Sequence, residues 1–263
     1  MRDQTLSPNA AVSPRAKKSL GQNFLVDSRV RAKIVEAADI SPTETILEVG
    51  PGRGFLTKAL AERAGRVVAV ELDDALIPPL REKVAEYDNV EIVQGDARTV
   101  DVDSLVGTAT GYKVVANLPY YAATPIVRRF LEAPHKPTTL VVMVQKEVGL
   151  EMTASPGKMG ILSVATQVYG NPRIVTSVPP RAFRPSPNVT SAVVRIDTYA
   201  EPAVNFDSPE KFFTLVRAGF SAPRKQIHNS LKNGLDMDTD EVMEMLQTAE
   251  ISPTRCAQTL SIK

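Results

Sequence analysis

Residues 45–71 read Thr45-Ile46-Leu47-Glu48-Val49-Gly50-Pro51-Gly52-Arg53-Gly54-Phe55-Leu56-Thr57-Lys58-Ala59-Leu60-Ala61-Glu62-Arg63-Ala64-Gly65-Arg66-Val67-Val68-Ala69-Val70-Glu71. Residues 46–49 form an apolar run of strand length, and three glycines within five residues make the turn after it. Residues 55–61 have helical spacing, and residues 67–70 are a second buried strand that ends on Glu71. Strand, glycine turn, helix and strand make a βαβ unit of a doubly wound α/β sheet. Glycines let backbone approach a ligand closely, and an acid at the end of the second strand accepts from both hydroxyls of a ribose.

Two nucleoside ligands suit this unit. The dinucleotide fingerprint G-x-G-x-x-G requires its third glycine one residue later than Gly54. Glu48 inside the first strand, before Gly50 and Gly52, favours S-adenosylmethionine over NAD. The pattern then repeats. Residues 73–87 read as a helix and residues 90–93 as a third strand that runs into Gln94-Gly95-Asp96-Ala97. Asp96 is placed to accept from an adenine amino group, with Ala97 against the ring.

A fourth strand, residues 114–116, delivers Asn117-Leu118-Pro119-Tyr120. An amide, a rigid proline and an aromatic directly after a buried strand sit where open α/β sheets bind ligands. Asn-x-Pro is also ordinary turn chemistry. Further elements are expected as a helix over 124–132 with Pro125 near its start, a strand over 140–144, a helix from 145, a loop at 155–158 and a helix over 161–168. Two closing strands follow, 173–178 and 192–196. Between them four prolines, Pro179, Pro180, Pro185 and Pro187, stiffen the loop that carries Phe183. That ring either anchors the core or stacks on a base.

The chain has 263 residues, enough for a large domain and a small one. Residues 1–14 are polar and read as a disordered tail, residues 15–200 as the α/β domain and residues 201–263 as a small helical domain. In the last, helices are expected over 209–220, 224–233 and 240–249. One cysteine, Cys256, excludes an internal disulfide, and with only His135 and His228 beside it no metal site is expected. No apolar run is long enough to span a membrane, and a cytoplasmic location is expected. Net charge is +1, so a nucleic-acid partner rests on distribution rather than total. Lys17 and Lys18, Arg181 and Arg184, and Arg224 and Lys225 lie in three basic segments, candidates for one phosphate-binding face.

Taken in order, K-K-S-L-G-Q-N-F-L, E-V-G-P-G-R-G, V-V-A-V-E-L-D, G-D-A, N-L-P-Y-Y, Q-K-E-V, F-R-P-S-P-N-V-T-S-A-V-V-R and F-S-A-P-R-K resemble the ribosomal RNA adenine N6,N6-dimethyltransferase family, in its bacterial small-subunit branch. The likeness covers about residues 15–235. It implies a Rossmann-like class I methyltransferase fold: a seven-stranded, mostly parallel sheet with the last strand antiparallel, plus an all-α C-terminal domain. It implies S-adenosylmethionine held by Asn23, Leu25, Gly50, Glu71, Asp96 and Asn117. It implies as partner the 30S precursor and its 16S ribosomal RNA, dimethylated at two adjacent adenines of the 3′-terminal hairpin by a monomer that serves small-subunit biogenesis. Asn117, Leu118, Pro119, Tyr120 and Phe183 would be the residues at the reacting base. Ala222-Pro223 and Thr190 depart from the usual pattern, which puts any contact made by the replaced polar residues in question. A large-subunit resistance methyltransferase and a non-catalytic assembly or transcription factor are the alternatives. The intact Gly50, Glu71, Asp96 and Asn117 disfavour the latter.

Overall fold

A computed structural model describes residues 14–107 and 111–262. The expected disordered tail thus lies outside the described residues except for Pro14. The elements in order are β1 (Phe24–Leu25), α1 (Ser28–Ala38), β2 (Thr45–Val49), α2 (Phe55–Ala61), β3 (Arg66–Glu71), α3 (Ile77–Lys83), β4 (Val90–Gln94), α4 (Val102–Val106), β5 (Tyr112–Asn117) and α5 (Tyr120–Glu132). Then come β6 (Thr139–Gln145), α6 (Lys146–Met152), α7 (Ile161–Gln167), β7 (Gly170–Val178), β8 (Phe183–Arg184), β9 (Ser191–Thr198), α8 (Pro209–Gly219), α9 (Ile227–Leu235) and α10 (Thr239–Thr248).

Seven strands form one sheet in the order β4-β3-β2-β5-β6-β9-β7. Strands β4, β3, β2, β5 and β6 run parallel, and β9, the last in the chain, pairs antiparallel with both β6 and β7. The apolar runs of β2, β3, β5 and β6 follow from burial on both faces. One face packs on α1 and α2 through Ile34, Val35, Leu56 and Leu60. The other packs on α5 through Ile126, Val127, Phe130 and Leu131. From β2 the chain steps to β3 and β4 on one side, then returns to place β5 and β6 on the other. This reversal opens a crevice at the carboxyl ends of β2 and β5, where open sheets bind ligands.

The helical segment has its own small core of Leu231, Val242 and Leu246. It docks on the sheet domain as its size requires: Phe213 joins the core beneath α5, and the Ala203 N–H donates to the Val168 carbonyl. Among the described residues no helix is long and apolar enough to cross a membrane.

Three expected helices begin elsewhere. α5 starts at Tyr120, capped by Pro119 in extended conformation, and Pro125 lies inside it. The N–H that Pro125 lacks would have reached the Tyr121 carbonyl, in the first turn of α5. Residues 73–87 are not one helix. A 3-10 turn, Asp74–Leu76, precedes α3, which opens at Ile77 with Pro78 and Pro79 in its first turn and ends at Lys83. α9 begins at Ile227, three residues after Arg224, so Arg224 and Lys225 occupy a turn behind Pro223 rather than a helix face.

Candidate active site

Parallel register brings the sequence motifs to one edge. Val49 pairs with Val70 and with Ala116, and Glu71 pairs with Gln94. Gly50, Glu71, Asp96 and Asn117 therefore end up side by side. They line one cleft together with Asn23, Leu118, Pro119, Tyr120 and Phe183. Leu25 is the exception among the expected cofactor residues. It pairs with Phe183 in the short β1–β8 ribbon, and its side chain is buried in the core shared with α1.

The glycine turn is shaped by close approach. Gly50 has φ +72°, and a Cβ there would stand 3.2 Å from the Asn117 carbonyl oxygen. Gly52 has φ +57°, and its Cβ would meet the Phe24 ring at 3.0 Å. The Arg53 guanidinium covers that ring, 4.5 Å from its centroid. The Gly52 N–H donates to Glu71 Oε2 at 2.9 Å, and the Asp73 N–H donates to Oε1 at 2.9 Å. Burial raises the Glu71 carboxyl above its ordinary value against these bonds.

Asp73 escaped the sequence reading, although it sits two residues past Glu71. Its carboxylate accepts from Lys17 Nζ at 2.6 Å and from Gln22 Nε2 at 2.7 Å, which ties the lead-in segment to the cleft. Burial pushes this carboxyl up, but the Lys17, Gln22 and Ala75 hydrogen bonds outweigh it and hold it below the usual range. Arg98 and Arg129 were likewise not singled out. Arg98 pairs with Asp96, its Nη2 2.6 Å from Oδ2, and holds that carboxyl low. Arg129 of α5 donates to the Ala97 and Val100 carbonyls and so fixes the turn after β4.

At the other end of the cleft Asn117 Nδ2 donates to the Asn23 carbonyl at 3.1 Å, which leaves Oδ1 as the free acceptor. The Leu118 side chain is buried in the core. The Tyr120 hydroxyl bonds to the buried Ser191 Oγ of β9 at 2.8 Å, and this fixes the ring at the start of α5. Phe183 is 1% exposed yet lines the cleft, so it belongs to the core and to the site wall together. Ala122 also lines the cleft, whereas Ala123 faces the core.

The β1–β8 ribbon pairs Phe24 with Arg184, which brings the basic lead-in and the basic loop together. Lys18, Arg181, Arg184, Arg224 and Lys225 are exposed. Lys17 is held by Asp73. The third basic segment lies on the helical unit. Among the described residues no cluster of three or more His, Cys, Asp or Glu side chains suits a metal ion.

The family model described as ribosomal RNA adenine dimethylase matches residues 14–263. A ribosomal RNA small subunit methyltransferase A of Dehalococcoides mccartyi is 46% identical over 249 residues, covering 95% of this chain and 86% of that protein. A protein of the same name from Alkaliphilus metalliredigens is 44% identical over 255 residues, covering 95% and 89%. Among solved structures, the 23S rRNA methyltransferase ErmE superposes with a TM-score of 0.74 at 30% identity, covering 91% of this chain and 95% of that one. A dimethyladenosine transferase from Plasmodium falciparum gives 0.79 at 22% identity, covering 91% and 93%, a likeness of fold. With its motifs gathered in one cleft and a family model matching nearly its whole length, the chain belongs to the ribosomal RNA adenine dimethylase family.

Proposed function

We propose that this protein transfers methyl groups from S-adenosylmethionine to N6 of two adjacent adenines in the 3′-terminal hairpin of small-subunit ribosomal RNA, giving N6,N6-dimethyladenosine. Relatives at 44–46% identity carry the small-subunit name, against 30% for the large-subunit enzyme ErmE. The hairpin as target rests on the motif resemblance.

The observation that carries the reading is Asn117. Its amide nitrogen is occupied by the Asn23 carbonyl, so its oxygen is left to accept from an exocyclic amine.

The residues present fit S-adenosylmethionine. Gly50 and Gly52 form a cradle that a Cβ would fill, Glu71 is fixed for a ribose, and Asp96 stands where an adenine amino group would lie. When bound, this cofactor supplies a methyl group on a sulfonium, with a neutral thioether as leaving group. The chain must therefore prepare the nucleophile, because the adenine N6 lone pair is delocalised into the ring. In the first transfer Asn117 Oδ1 and the Leu118 carbonyl would accept the two N6 hydrogens and favour a pyramidal nitrogen; in the second the one remaining hydrogen would keep one of these acceptors, and each methylated nitrogen would release a proton to solvent. Pro119 brings no competing N–H. Tyr120, anchored by Ser191, offers its face to the flipped base, and Phe183 backs the same wall. Positioning supplies much of the rate, and no strong base is needed.

Residues 15–200 then serve catalysis and residues 201–263 contact the small subunit. The exposed Lys18, Arg181, Arg184, Arg224 and Lys225 meet RNA phosphates. The enzyme works as a cytoplasmic monomer.

The test is labelled-methyl transfer to undermethylated small subunits, large subunits and naked RNA, with dimethyladenosine mapped afterwards. Label in small-subunit RNA is expected, and label confined to large-subunit RNA overturns the assignment. Asn117→Ala should abolish transfer with little loss of RNA binding, and near-normal turnover would remove Asn117 from its role.

A further inference from the structure

Both carboxylate oxygens of Asp96 are already engaged. Its Oδ1 accepts from the Arg98 backbone N–H at 2.9 Å and from Arg98 Nε at 3.0 Å. Its Oδ2 accepts from Nη2 at 2.6 Å and from Nε at 3.0 Å. A carboxylate offers about four lone-pair sites, and three Arg98 hydrogens crowd them, the Nε–H being shared between both oxygens. An adenine amino group that donates to Asp96 therefore shares its oxygens with Arg98 and weakens the pair. The backbone bond belongs to the turn and stays. The turn itself is pinned, because Arg129 holds the Ala97 and Val100 carbonyls. Relief comes only from the Arg98 guanidinium, on a flexible stem whose side chain is 49% exposed.

Arg98 lines the same cleft as the Asn117–Tyr120 clamp and shares its mouth with Tyr121, which is exposed. A base that enters this cleft carries its own phosphates to that mouth. A planar guanidinium fits phosphate oxygens as well as it fits a carboxylate. A part-exposed ion pair is weak, so exchange of one anion for the other is nearly balanced.

We infer that Arg98 competes with the cofactor adenine for Asp96, and that an RNA phosphate draws Arg98 away, so that RNA and cofactor favour each other's binding. The inference rests on the reading of Asp96 as adenine acceptor. By linkage the coupling is reciprocal.

Calorimetry with S-adenosylhomocysteine tests it on the wild type, Arg98→Ala, Arg98→Lys, Asp96→Ala and the Arg98→Ala/Asp96→Ala double variant. Arg98→Ala should bind about two- to fivefold tighter than wild type, the scale of a part-exposed pair. Arg98→Lys should fall between, because an ammonium keeps the charge without the fork. In the Asp96→Ala background the Arg98 substitution should change nothing. With saturating undermethylated small subunits, measured by equilibrium dialysis of labelled S-adenosylhomocysteine, wild type should gain the same factor and Arg98→Ala should not. Unchanged or weaker binding by Arg98→Ala alone overturns the competition. An equal gain from subunits in both proteins overturns the role of RNA. Wild-type affinity in Asp96→Ala instead removes the reading of Asp96 on which both stand.

Discussion

Glu48 sits in the middle of β2, 1% exposed, and its Oε2 has no hydrogen-bond partner. The nearby Thr57 hydroxyl is buried and unpartnered as well. Burial is the main cause that pushes the Glu48 carboxyl from its ordinary 4.5 up to about 8; the adjacent Thr57 hydroxyl opposes the rise and the charge of Glu71 adds to it. The folded chain therefore accommodates the neutral acid. Above pH 4.5 the unfolded chain releases this proton, whereas the folded chain keeps it until about pH 8. Stability from this residue is full below pH 4.5 and is lost as pH rises to 8, at about 1.4 kcal/mol per pH unit. Replacement by glutamine keeps the shape and removes the ionisation. From pH 5 to pH 8 Glu48→Gln should gain about 3–4 kcal/mol on the wild type, after allowance for half-ionisation at the upper end. Urea unfolding of the cofactor-free protein, followed by far-ultraviolet circular dichroism at pH 5, 6, 7 and 8 with matched m-values, measures the difference. The new amide adds an offset that does not vary with pH, and the titration of Glu71 is common to both proteins. The slope is thus the test. A difference that stays flat from pH 5 to pH 8 would show Glu48 ionised in the fold and refute the reasoning.

Two further predictions concern the cofactor end. Glu71→Gln replaces one acceptor oxygen by a donor facing the Gly52 or Asp73 N–H, so S-adenosylhomocysteine affinity should fall by about tenfold or more; unchanged affinity by calorimetry would count against the ribose role. Gly52→Ala should cost about 1–2 kcal/mol for its left-handed backbone and also weaken the cofactor by driving Phe24 and the stacked Arg53 aside. Gly157→Ala, at φ +102° with nothing within 4 Å of its Cβ, is the control that should leave cofactor affinity unchanged.

The βαβ unit was legible in the sequence because its signals are local. Strand 46–49, the three glycines, helix 55–61 and the terminal Glu71 each follow from spacing alone, and the structure places them within a residue or two. The start of α5 was not legible. Pro125 imitates a first-turn proline, and the true cap, Pro119, lies in a motif whose composition speaks of a turn. Arg224 and Lys225 read as helical by spacing, yet Pro223 and the turn behind it delay α9 to Ile227. The place of Leu25, paired with Phe183 far along the chain and with its side chain in the core, was not legible either. The bond from Lys17 to Asp73 spans 56 residues. No local pattern announces such a contact, because only the completed sheet brings the two segments together.

The acids of the cleft differ in what holds them, and that difference separates fixed from exchangeable parts of the site. Glu71 is held by two backbone N–H groups, which cannot leave without unfolding the turn. Two of its about four lone-pair sites remain free for a ribose. Asn117 is likewise held by backbone, its amide nitrogen on the Asn23 carbonyl, with the oxygen free. Asp96 is held mainly by a side chain, which reaches both of its oxygens. On the proposed reading the ribose and the reacting amine meet a preorganised frame, while the cofactor adenine competes with Arg98 for Asp96. Asp73 links the frame outward, because the same residue donates its N–H to Glu71 and takes Lys17 and Gln22 on its carboxylate. Loss of the lead-in would loosen the Asp73 side chain yet leave its backbone bond to Glu71 in place. RNA-dependent changes in cofactor affinity then enter through Asp96 and Arg98, an acid–base pair lining the cleft that can open without moving the backbone.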